Sequence, residues 1–170
     1  CVYVRIMVEQ PVVPRIGSAY QRGIRDFAVD KMFEALYHQQ TALMQDYPGG
    51  GQVGNESYNY YLDRGYVPLN KDYQSYVSNT MEYAYQDWCF AQYAKAMGKE
   101  DVYSEFMDRS ENWRNIFDPT TGCVRPRNLD GSWYTDFSPF RSPGFCESNS
   151  WQYTWYVPQN LSGLVELMGQ

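Results

Sequence analysis

The sequence predicts a mainly α-helical fold assembled from helical hairpins, and three observations carry that prediction. Apolar residues recur at helical spacing over several segments, most clearly between Val77 and Met97. Glycine and acidic residues stand where those segments stop and start. Short turns alternate with long loops between the segments, which is how helical toroids are built; helix-pair solenoids share that order, but no repeat of fixed period is found.

The first helix is expected to begin near Asp26 or Val29, with Val29, Met32, Phe33, Leu36 and Tyr37 on one face, and to fade before Pro48. Pro48 to Gly54, PGGGQVG, reads as a turn or loop. Asn55 or Ser57 can cap a short helix through Tyr58, Tyr61 and Leu62 that stops at Gly65, and Gly65 to Ser75 is a connector. Between Val77 and Met97, Met81, Ala84, Tyr85, Trp88, Ala91, Tyr93 and Ala94 spread over so wide a stripe that the helix must be buried on much of its circumference. Gly98 fits the position just beyond its end, and Glu100 and Asp101 place negative charge at the start of a second helix. That helix is expected to reach Phe117 with Tyr103, Phe106, Met107, Trp113 and Phe117 inward, giving an antiparallel hairpin. From Asp118 to about Glu147 the pattern dissolves into a loop rich in Pro, Gly and aromatic residues, long enough to form the wall of a site. Helical spacing resumes from Ser150 to Tyr156, breaks at Pro158 and restarts from Leu161 through Leu164, Val165 and Met168 to Gly169.

Length and composition bound the function. At 170 residues the chain can form one domain with a real core, or a portion of something larger. A net charge of -6 argues against nucleic acid, since the only basic knot is Arg125 and Arg127 with Arg141 further on. No run reaches the apolar length of a membrane span. The opening CVYVRIMVEQPVVP mixes Arg5 and Glu9 into a short apolar run, so no leader is visible and the start reads as trimmed or lying upstream. Cys1, Cys89, Cys123 and Cys146 show no CxxC spacing and His38 is the lone histidine, which excludes a zinc cluster; Cys89 reads as a packed apolar residue. Aromatic residues make up 18% of the chain, a composition equally suited to stacking on sugars and to filling helix seams or partner interfaces.

The segment Gly144 to Pro158, GFCESNSWQYTWYVP, sets a single carboxylate, Glu147, beside Trp151, Tyr153, Trp155 and Tyr156. Such surroundings suit a proton donor for sugar cleavage, because apolar rings favour the neutral carboxylic acid and stack on pyranose faces. A nearby helix N-terminus would oppose this by favouring the ionised form. The assignment therefore needs burial by Phe145, Trp151 and Trp155, and a place on a concavity rather than in bulk solvent.

Five segments, AYQRGIRDF (from Ala19), YYLDRGYVP (from Tyr60), SNTMEYAYQDWCFAQYAKAMGK (from Ser78), SENWRNIFDPTTGCVRPRNLDGSW (from Ser110) and GFCESNSWQYTWYVPQNLSGLVELMG (from Gly144), resemble in order the catalytic domain of glycoside hydrolase family 92. Those proteins are calcium-dependent, inverting exo-α-mannosidases. The resemblance implies an (α/α)6 toroid following an N-terminal β-sandwich, mannose-containing glycans as substrates, and an exported bacterial enzyme, secreted, periplasmic or at the cell surface. It implies that Glu147, in an ExNxWQY motif, is the general acid. Inversion also needs a second carboxylate roughly 6.5–9.5 Å away. In the family that base and much of the calcium shell come from downstream segments with no counterpart before Gln170. Residues 1–170 are thus expected to be a partial toroid with about half of its helices, a fragment or truncated product, without the sandwich or the C-terminal half. Alone it is expected to lack mannosidase activity and a complete calcium site, and the remainder of the same polypeptide is the expected partner.

Around Glu147, the candidate substrate-binding residues are Asp87, Trp88, Asn149, Trp151 and Gln152. Asp87 on a largely apolar helix reaches a polar cavity or pairs with an arginine, for which Arg125 is a candidate. Trp88 serves the core or a ligand. Asn149 and Gln152 suit sugar hydroxyls, and Asn149 suits a helix cap equally well. Asp136 is a spare carboxylate in a turn-rich loop, and His38 belongs on a helix surface. A non-catalytic carbohydrate-binding or helical interaction module is the alternative function.

Overall fold

The computed structural model describes residues 11–43, 45–46, 52–53, 56–69 and 75–169. In chain order they form α1 (Val12–Gln21), α2 (Val29–Thr41), β1 (Gln45–Asp46), β2 (Gln52–Val53), α3 (Glu56–Arg64), α4 (Tyr76–Ala96) and α5 (Glu100–Arg109). A 3-10 turn (Asn112–Ile116), β3 (Phe117–Asp118), β4 (Cys123–Val124), α6 (Ser150–Tyr153) and α7 (Leu161–Leu167) follow. The mainly α prediction is met. Cys1, the Asn55 cap, residues 70–74 of the connector and the Pro48–Gly54 turn, apart from Gln52 and Val53, lie outside the described residues. Ser57 is not a cap: it sits within α3, its hydroxyl hydrogen-bonded to that of Tyr83 at 3.0 Å.

Helix α4 is the axis, and its sides divide the core in two. Its second half packs with α1, α2 and α5 around Val13, Phe33, Leu36, Phe90, Tyr93 and Phe106. Its first half packs with α3, the 3-10 turn, β4 and α7 around Tyr61, Met81, Trp113, Ile116, Val124 and Leu164. Burial on nearly every side is what the width of its apolar stripe requires. Beyond Ala96 the chain closes a Schellman turn: Gly98, at φ 72°, donates to the Lys95 carbonyl and Lys99 donates to that of Ala94, both at 3.0 Å. A non-glycine residue would be strained there, and the turn sends α5 back along α4.

Four expectations need correction. Helix α1 precedes the helix expected to be first, although it contains Pro14 and Gly17. Pro14 falls in the first turn, where no N–H is needed, and an ideal Cβ at Gly17 would meet the Cys89 carbonyl at 3.3 Å, so a bare backbone lets α1 lie close to α4. The α5 helix stops at Arg109 rather than Phe117. The Ser110 hydroxyl donates to the Met107 carbonyl at 2.6 Å, and the 3-10 turn then swings Trp113 and Ile116 into the part of the core packed on the first half of α4. The long loop opens with a small hairpin, Phe117 opposite Val124 and Asp118 opposite Cys123. Helix α6 is one turn ending at Tyr153 instead of reaching Tyr156.

Candidate active site

The segment carrying Glu147 is fastened to the start of α4. Ser75, the residue before α4, gives that helix no side-chain cap. Its place is taken by the Gly144 carbonyl, which accepts from the N–H groups of Val77 at 3.0 Å and Ser78 at 3.2 Å. Gly144 crosses the Tyr76 ring so closely, at φ 99°, that a Cβ would lie 2.3 Å from a ring carbon. Two residues on, the Cys146 N–H donates to the buried Ser78 hydroxyl at 2.9 Å.

Glu147 follows at φ 51°, the one non-glycine residue among those described with a positive φ. A left-handed conformation costs a side-chain-bearing residue roughly 1–2 kcal/mol and recurs where a side chain must be aimed. Asn149 then caps α6, its side-chain oxygen accepting from the Gln152 N–H at 3.1 Å. This is the capping role that the sequence also allowed. The Ser148 hydroxyl donates to Gln152 Oε1 at 2.7 Å. On the inner side of α6, Ser150 donates to the Val124 carbonyl, and Thr154 Oγ1 accepts from the Val124 N–H at 3.0 Å. Trp151 and Trp155 point outward, each 53% exposed, and Trp151 packs against exposed Phe140 with ring centres 6.2 Å apart. A chain of ring contacts runs from Phe145 through Tyr153 and Tyr156 to Tyr85 and Trp88 on α4.

Burial of Glu147 by Phe145, Trp151 and Trp155 is therefore overturned: within this chain Glu147 is exposed. Two cavities lined by described residues lie away from it. One, about 470 Å³, sits between α2 and the α4–α5 turn beside Phe33, Tyr37 and Lys99. The other, about 190 Å³, lies between α1 and α4 and is lined by Pro14, Ser18, Tyr85, Trp88 and Gln92. Half-buried Trp88 thus borders a cleft, stacked near-parallel on Tyr85.

Asp87 has a different task from sugar binding. Its side chain is fully buried, and both oxygens are occupied: Arg109 donates to them at 2.8 and 3.1 Å and Tyr61 donates at 2.7 Å. Burial pushes Asp87 up to about 6, against the opposing pull of Arg109 and Tyr61. Arg109 also donates to the Tyr58 hydroxyl at 2.8 Å, and its guanidinium, though burial disfavours it, is held charged by Asp87. The expected partner Arg125 pairs instead with Asp118 at 2.8 Å and donates to the Tyr134 carbonyl. Although burial raises Asp118, its hydrogen bonds from Thr120 and Arg125 outweigh that and hold its carboxyl below the usual value. Asp87 and Arg109 lie equally far along the chain from Gly98, and the closed α4–α5 hairpin brings them level. His38 is on the surface of α2 as expected, and Asp136 is exposed.

Sequence reasoning passed over Ser78 and Glu82, a turn apart on one side of α4. Both are buried, and Glu82 accepts from the Tyr156 hydroxyl at 3.0 Å. Polar residues at four-residue spacing on an apolar helix were the available signal. Among the described residues no group of three or more His, Cys, Asp or Glu side chains could hold a metal ion.

The hairpin-built helical body thus carries an exposed carboxylate and two exposed tryptophans on one aromatic-rich segment. Residues 2–170 match the glycosyl hydrolase family 92 catalytic domain, and the chain belongs to that family. A family GH92 inverting mannosidase from Bacteroides thetaiotaomicron superposes with a TM-score of 0.87 at 32% identity, over 98% of this chain and 22% of that one. A GH92 α-mannosidase from the same organism superposes at 0.85 and 32%, over 96% of this chain and 21% of its own. An uncharacterized secreted glycosidase of Arthroderma benhamiae is 29% identical over 91% of this chain and 24% of its own length. The chain thus spans about a quarter or less of the relatives it matches. Its helical body is that of the (α/α)-type GH92 domain.

Proposed function

We propose that this chain is part of the catalytic toroid of an inverting α-mannosidase that removes terminal mannose from glycans, with Glu147 as the general acid. The observation that carries the reading is the left-handed backbone at Glu147 in a segment fastened to α4. That geometry, in a family member, aims one carboxyl away from the core at the cost of local strain. The acid gives its proton to the departing glycosidic oxygen while a water attacks the anomeric carbon from the opposite face. The wall that dries the site, the base that activates the water and the calcium shell belong in this proposal to the rest of the domain. Trp151 and Gln152 are then available to a sugar, while Asn149 orients the turn. The N-terminal β-sandwich and an exported, bacterial setting complete the proposal; the Arthroderma relative is called secreted, and among the described residues no helix is long and apolar enough to cross a membrane.

The test is the Glu147→Gln variant with the rest of a family 92 catalytic domain supplied. Turnover of a disaccharide α-mannoside is expected to fall by about 10²–10⁴-fold while mannoside binding persists. Unchanged turnover would remove Glu147 from the mechanism. The 170-residue chain alone is expected to hydrolyse no α-mannoside even with calcium added.

A further inference from the structure

We propose that Ser78 and Glu82 are positioning residues for Glu147, gripping its loop from both sides; this rests on the reading of Glu147 as the acid. The two residues occupy successive turns of one side of α4, which is buried along most of its length. On the near side of Glu147, the Cys146 N–H donates to Ser78 Oγ at 2.9 Å, and the Gly144 carbonyl caps the N–H groups of Val77 and Ser78. On the far side, the Tyr156 hydroxyl donates to Glu82 at 3.0 Å. Tyr156 is wedged between Tyr153 and Tyr85, with ring centres 6.1 and 5.9 Å away, so holding it also holds the end of α6.

The grip accounts for two features that packing alone does not require. Glu82 is a carboxylate only 9% exposed, a costly group to bury unless its hydrogen bonds have a use. Glu147 keeps a conformation its own side chain disfavours, which persists only where the flanking backbone is fixed on both sides. One α4 side therefore sets both ends of a short segment, and the carboxyl in between inherits its direction. A general acid needs such fixing, because a displacement of about 1 Å from the leaving oxygen can cost on the order of a hundredfold in rate.

The test again supplies the rest of the catalytic domain, and compares two substrates: a disaccharide α-mannoside, whose leaving alcohol needs a proton, and a dinitrophenyl α-mannoside, whose leaving group does not. Ser78→Ala and Glu82→Ala should each lower kcat on the disaccharide by about ten- to a hundredfold, with KM little changed. Turnover of the dinitrophenyl substrate should stay within roughly threefold, since no proton is delivered there. Glu82→Gln should recover most of the loss, because an amide oxygen still accepts from Tyr156. An equal fall on both substrates would show general damage to the fold and overturn the proposal, as would wild-type kcat on the disaccharide. Failure of the acid assignment itself would look different: Glu147→Gln would then keep its disaccharide turnover.

Discussion

The two notable carboxylates of this chain are held in opposite ways. Asp87 sits in the middle of the α4–α5 hairpin with no exposed surface, a guanidinium across both oxygens and a phenol beside them. Glu147 stands on the rim, exposed, on a left-handed backbone that its neighbours impose. One carboxylate is bound into the fold by partners on both oxygens; the other is kept available by fastening the backbone and leaving the side chain exposed. The contrast separates residues that build the domain from those that can meet a substrate.

Removing one partner of the buried pair is the most severe way to probe that contrast. Arg109→Ala should destabilise the chain by about 3–5 kcal/mol in denaturant unfolding, because Asp87 would be left buried without its counter-charge. A loss below about 1 kcal/mol would mean that the pair is dispensable to the fold. Next comes the fastening of the rim. Gly144→Ala should cost roughly 1–3 kcal/mol, since its Cβ cannot share space with the Tyr76 ring and its φ is unsuited to a side chain. Glu147→Gly should go the other way, raising stability by about 1 kcal/mol through relief of the left-handed strain. A destabilised Glu147→Gly protein would show that the carboxyl contributes to the fold after all.

The buried pair can also be probed through pH dependence. Burial sets the folded value of Asp87 at about 6, above its ordinary value of 3.8. The folded state therefore binds the proton more tightly than the unfolded chain. The stability gained from protonation is fully present below about pH 4 and is lost as pH rises through about 6. Thermal unfolding across that window should show the decline, and Asp87→Asn should flatten it. An identical slope in the variant would assign the decline to other groups.

Helix α4 was legible because its apolar residues circle the helix, and the α4–α5 turn because Gly98 is followed by Glu100 and Asp101. The terminal helix α7 was legible from Leu161, Leu164 and Val165. Glu147 was recognisable from its motif, but its exposure was not, since neighbouring tryptophans in sequence turned out to face away from the core. Helix α1 was hidden by two prolines and a glycine whose roles, an early-turn position and a close helix crossing, depend on α4. The break after Arg109 was hidden as well, because helical spacing runs on through Trp113 and Phe117 although those side chains serve the other half of the core.

Periodicity and turn chemistry are local properties, so the chain by itself determined where α4 and α7 run and where α4 reverses into α5. Pairings across the fold were decided only when helices packed: Asp87 with Arg109 rather than Arg125, and Gly144, Ser78, Glu82 and Tyr156 around the Glu147 segment. The physical reason is that a buried charge or an uncapped helix end must find whichever partner the packed backbone brings within hydrogen-bond reach, and linear spacing does not encode that distance.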